Sequence, residues 1–161
     1  MGNTVKGILA AILFLLNSQI SLAQFYSTGS DPARLKWSEI KTERYYIIYP
    51  AEADSLARRY AILLERSADA VNSPLRAKPR KLPVVLHPYN VYSNGLVSWA
   101  PRRMELYTLP PSFGSYSMNW EKQLVLHEGR HVAQMTMFER GIFKPLSWLI
   151  GEQAVGIGAG L

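Results

Sequence analysis

The residues of this chain whose types and spacing can do chemistry are His127, Glu128 and His131. They stand as His127-Glu128-Gly129-Arg130-His131, an H-E-x-x-H pentapeptide inside an apolar, helix-forming run from Trp120 to Phe138. On an α-helix, residues four apart share a face, so the two imidazoles can converge on one cation. Glu128 is placed beside the first of them, where its carboxylate can reach a water that the cation activates. That is the donor set of a zinc hydrolase, with the histidines as ligands and the glutamate as general base. A catalytic zinc takes three protein ligands and leaves one position open.

Composition narrows the alternatives. The chain has no cysteine, so disulfides, thiolate metal sites and cysteine nucleophiles are excluded. Its three histidines are His87, His127 and His131, which leaves His87 as the only imidazole outside the motif. Flanked by Pro88 at the end of an apolar run, His87 reads as structural rather than as a ligand. The formal charge of +6 is carried by scattered residues and short clusters, Lys78-Pro79-Arg80-Lys81 and Arg102-Arg103, with no interleaved aromatics. No nucleic-acid partner is expected from that pattern. A basic surface does leave open peripheral association with an anionic envelope.

The elements that must position the motif can be read along the chain. Residues 1–23 have the form of a secretory signal peptide: Lys6, an apolar stretch from Gly7 to Leu16, and small residues at Ser21 and Ala23. The mature chain is expected to begin near Gln24 and to be exported to the periplasm or cell envelope. Glu43 to Tyr49 reads as a strand. Ala53, Leu56, Tyr60, Leu63, Leu64, Ser67, Ala68 and Val71 mark an amphipathic helix that stops before Pro74. Leu82 to His87, Leu96 to Ala100 and Met104 to Leu109 read as three further strands, with a turn at Asn94-Gly95. Asn119 is the expected N-cap of the motif helix, and Glu121 lies in its first turn. A further apolar helix is expected from Pro145 through Ala154. The fold class is therefore α+β: a small mixed or antiparallel sheet packed with an amphipathic helix, then the H-E-x-x-H helix and another apolar one. The apolar, Gly-rich end from Gly151 to Leu161, with no charge after Glu152, suggests that residues 24–161 are the N-terminal part of a longer metallopeptidase-like domain.

The third ligand is the open question within this reading. Metzincins would need Gly at position 134 and His at position 137, where this chain has Gln134 and Met137. Glu139 lies about 12 Å along a helix from His131, too far to share a metal. Glu152 is the remaining downstream candidate, and it also reads as a polar residue at a helix end. Elsewhere, Asn94 to Ala100 can serve as an edge strand on which an extended peptide adds, or as a plain hairpin strand with Trp99 buried. Tyr107 and Tyr116 are possible oxyanion donors.

At Ser93-Asn94-Gly95-Leu96-Val97-Ser98-Trp99-Ala100-Pro101-Arg102-Arg103-Met104-Glu105 and Leu126-His127-Glu128-Gly129-Arg130-His131-Val132-Ala133-Gln134, with Gly151-Glu152-Gln153 as a weaker block, the chain resembles a gluzincin-type (peptidase MA-like) zinc metallopeptidase domain. More narrowly, it is similar to exported bacterial proteins that continue into a TolB-like β-propeller. The resemblance implies Zn2+ as cofactor, His127 and His131 as ligands, Glu128 as general base, and a peptide or protein as substrate. It also implies a third ligand from a Trp-Phe-x-Glu-Gly-like segment on a later helix, which does not occur before Leu161 and is therefore expected beyond it. The competing expectation is a catalytically inactive envelope scaffold or binding module that keeps the metallopeptidase fold.

Overall fold

A computed structural model describes residues 31–112, 117–139, 144, 145, 148 and 151. The signal-peptide reading of residues 1–23, the role considered for Tyr116, and Glu152 lie outside the described residues. Of the helix expected at Pro145–Ala154, Pro145 and Trp148 are helical and Gly151 lies in a turn; the others are outside. Among the described residues no helix is long and apolar enough to cross a membrane.

The chain forms an α+β fold on a mixed five-stranded sheet. In chain order the elements are β1 (Trp37–Lys41), β2 (Tyr45–Pro50), α1 (Asp54–Asn72), β3 (Leu82–His87), β4 (Gly95–Trp99), β5 (Arg102–Tyr107) and α2 (Trp120–Met137). The strand order is β1-β2-β3-β5-β4. β2, β3 and β5 run parallel, and β1 and β4 are antiparallel strands at the two edges. Parallel neighbours need a crossover, and α1 supplies it between β2 and β3. β4 and β5 form a hairpin through the turn at Ala100-Pro101.

Period-two alternation sorts the sheet into two faces. Tyr45, Ile47 and Tyr49, then Leu82, Val84 and Leu86, then Met104 and Leu106 form one buried layer. That layer joins Ala57, Tyr60, Ala61 and Leu64 of α1 and Leu124, Val125 and Val132 of α2 in a single core. Each of the larger side chains contributes about 1.5–3 kcal/mol by leaving water. Both helices therefore cover the same face of the sheet. On α1 the buried stripe runs through Ala57 and Ala61, whereas the larger Leu56 and Leu63 lie half-buried beside it.

α2 is fixed at both ends and at its middle. Asn119 caps it as expected, its Oδ1 accepting from the Glu121 backbone N–H at 2.9 Å. Arg59 of α1 donates to Glu121 in the first turn. Past the last turn, Glu139 accepts from Arg80 at 3.0 Å and lies 3.6 Å from Arg102, whose Nη2 donates to the Lys81 carbonyl. At mid-helix Gly129 faces Val71 of α1 so closely that an added Cβ would lie 3.2 Å from Val71 Cγ2. The motif's glycine is thus a packing residue, and it brings the helix against α1 between the two histidines.

Candidate metal centre

α2 turns one face toward the edge strand β4, and a cleft of about 460 Å³ lies between them. The helix wall runs Trp120, Gln123, Leu124, His127, Glu128, His131 and Met135, and the opposite wall is Asn94, Gly95, Leu96 and Val97. The spacing of the helix residues is that of a single face on a 3.6-residue helix. The motif residues therefore lie midway along the cleft, with apolar side chains at either end.

The two imidazoles converge as their spacing requires. Their Nε2 atoms face each other 3.1 Å apart, with the rings inclined at 81°. Two nitrogens about 2.05 Å from a shared zinc and this far apart would subtend roughly 100° at the metal, close to the tetrahedral angle. His131 is held from behind: its Nδ1 lies 3.3 Å from the amide oxygen of Gln134. An amide oxygen only accepts, so this contact favours the tautomer with the proton on Nδ1 and the Nε2 lone pair turned toward His127. Gln134 thereby takes the orienting role that partners of metal-binding histidines commonly fill. Its position one helical turn after His131 was the signal that could have identified it.

Glu128 differs from its neighbours. The two histidines are exposed to the cleft, whereas Glu128 is only 4% exposed. Among the described residues none donates a hydrogen bond to its carboxylate. Burial pushes this carboxyl above its ordinary range, against the opposing pull of His127 and His131. A carboxyl raised by burial and opening on a cleft is suited to taking a proton, as a general base must. The carboxylate lies against the backbone of β4 at Gly95, where a Cβ would overlap its Oε1, Cδ and Cγ atoms.

β4 contributes a second feature. Tyr107 N–H donates to the Asn94 carbonyl, so these two residues form a hydrogen-bonded antiparallel pair. By the alternation of such ladders, Gly95 and Val97 turn their N–H and C=O groups outward along the free edge. Of the two readings of Asn94 to Ala100, the hairpin strand with a buried Trp99 is observed, and β4 is also the sheet's last strand.

The other residues considered from the sequence lie elsewhere. Tyr107 is on the opposite face of the sheet, stacked on His87 with ring centroids 4.7 Å apart, and cannot reach the cleft. The reason is the strand period: Arg102, Met104 and Leu106 point inward, so Tyr107 points out. His87 is buried between two carboxylates, with Nδ1 2.6 Å from Asp31 and Nε2 3.5 Å from Glu105, far from the motif. Glu139 is engaged by Arg80 and Arg102, as its distance from His131 implied. The donor set thus fits zinc at two of its three protein positions, and among the described residues no group of three His, Cys, Asp or Glu completes it.

No protein-family model, curated protein or solved structure matches this chain.

Proposed function

We propose that this chain carries the ligand pair and general base of a zinc-dependent metallopeptidase centre, in a protein exported to the periplasm or cell envelope. The observation that carries the reading is the pairing of two Nε2 atoms 3.1 Å apart with the adjacent, nearly buried Glu128 carboxylate in the same cleft. His127 and His131 would hold the metal, and the third ligand would come from outside the described residues. Zinc, when bound, supplies Lewis acidity that polarises a carbonyl and lets a water ionise near neutral pH. Glu128 takes the proton of the attacking water and delivers it to the amine nitrogen as the C–N bond breaks. His131 stays in its binding tautomer because its Nδ1–H donates to the Gln134 amide oxygen. An extended peptide fits the cleft by adding to β4, pairing with the outward main-chain groups of Gly95 and Val97.

The test is metal content and hydrolysis of a fluorescently labelled unfolded protein by the full-length natural protein and its variants. The expected result is one zinc per chain, lost on His127→Ala or His131→Ala. Glu128→Gln should keep the zinc and lose about 10²–10⁴-fold in kcat. Undiminished zinc in both histidine variants would sink the proposal. Zinc retained with hydrolysis absent or indifferent to Glu128→Gln would favour the scaffold reading instead.

A further inference from the structure

We infer that Gly95 is the positioning residue for Glu128: the bare backbone at the start of β4 provides the space in which the carboxylate lies. The inference rests on Glu128 acting as the base and adds a residue from another element to that role.

A glycine is needed either for backbone conformation or for room. Conformation is not the reason at this position. Among the described glycines only Gly151 has a positive φ, so the backbone at Gly95 suits an ordinary L-residue. A strand position would in fact favour a side chain over glycine. Room is the reason. A Cβ built on Gly95 would occupy the space of three Glu128 atoms, Oε1, Cδ and Cγ. No other residue is among the nearest atoms that this Cβ would meet.

The consequence is specific to the carboxylate. The end of a glutamate side chain is flexible and can yield to a new methyl group, but only by leaving its present place. Glu128 is nearly enclosed and no described residue donates a hydrogen bond to it, so packing against β4 is what fixes its place. His127 and His131 are exposed to the cleft, and neither is among the three atoms nearest the new methyl. A side chain at position 95 would therefore move the base while leaving the ligand pair intact. Displacing a reacting group by as little as 1 Å can cost about 10²-fold in rate.

The experiment compares wild type, Gly95→Ala, Glu128→Ala and the double variant in the full-length protein, following zinc affinity, thermal midpoint and hydrolysis of a labelled unfolded protein. Gly95→Ala should keep zinc affinity within about threefold while kcat falls about 10²-fold, with KM changed less than about threefold. Its Tm should fall by several degrees with Glu128 present, by roughly 3–8 °C. In the Glu128→Ala background the same change should be neutral or stabilising, because the collision is gone. An equal Tm change in both backgrounds would overturn the inference, as would a large rise in KM at unchanged kcat. The thermal cycle needs no activity, so the two claims separate. If Glu128→Gln were fully active, the base reading would fail while the Gly95–Glu128 coupling still registered.

Discussion

Replacing Glu128 by methionine should make the metal-free protein more stable. Glu128 is 4% exposed, no described residue donates a hydrogen bond to it, and its carboxyl is pushed upward by burial. A buried polar group left without a partner costs about 1–3 kcal/mol, and more when it is charged. Methionine has nearly the same length and needs no donor, so it can fill the same space against Gly95. The gain should therefore be roughly 1–3 kcal/mol, or about 4–12 °C at roughly 4 °C per kcal/mol for a domain of this size. The assay is thermal unfolding by circular dichroism near neutral pH in excess chelator, since bound metal would add its own linkage to the midpoint. Hydrolysis by the zinc-loaded protein should vanish in the same variant. An unchanged or lowered midpoint would refute the reasoning. It would mean that the carboxylate is held by a favourable interaction and not kept at a cost.

Two further predictions concern the scaffold. Burial alone would lower the His87 pKa, but the Glu105 and Asp31 carboxylates outweigh it and hold it above the ordinary 6.5, while His87 and Arg103 hold Glu105 down to about 2. The His87 contribution is then full below about pH 6.5 and fades as pH rises through the folded value, and the Glu105 contribution is full above about pH 4.5 and fades toward pH 2. His87→Gln should accordingly lower Tm more at pH 5.5 than at pH 9, and an equal loss at both would exclude an imidazolium at that position. Gly129→Ala gains about 1 kcal/mol of helix propensity but puts a methyl against Val71, whose branched side chain is stiff. It should be destabilising in urea titrations and become stabilising in a Val71→Ala background; additive effects would show that the two helices are not in register at this contact.

What could be read from the sequence follows from the range of each signal. β3 was legible from end to end because Leu82 to His87 is an apolar run closed by Pro88, and α2 because Asn119 and Glu121 mark its start. β1 was not. Trp37-Ser38-Glu39-Ile40-Lys41 is mostly polar and forms an edge strand with only Ser38 and Ile40 turned toward the core side, so its hydropathy carries little signal. Nor could the strand order be read, because the insertion of β5 between β3 and β4 depends on pairing between distant segments. Tyr107 shows the opposite case. The alternation of Met104, Glu105, Leu106 and Tyr107 already placed it on the face away from the motif helix, and that period was there to be used.

The same division runs through the site. The ligand pair is a local property, since four residues of helix bring His127 and His131 together whatever surrounds them, and two histidines on any exposed helix would do the same. The environment of Glu128 is a tertiary property, made by β4 at the sheet edge, by the absence of a side chain at Gly95, and by α2 pressed against α1 through Gly129. These separate elements converge on a carboxylate that accepts no hydrogen bond from any described residue, at the cost in stability predicted above. A scaffold that only displays a surface would have no use for that cost, and many apolar residues at position 128 would serve it better. A proton carrier in a cleft needs just such a group, desolvated and without a competing donor. The enzymatic reading is therefore supported less by the motif's spelling than by the place in which the fold puts its second residue.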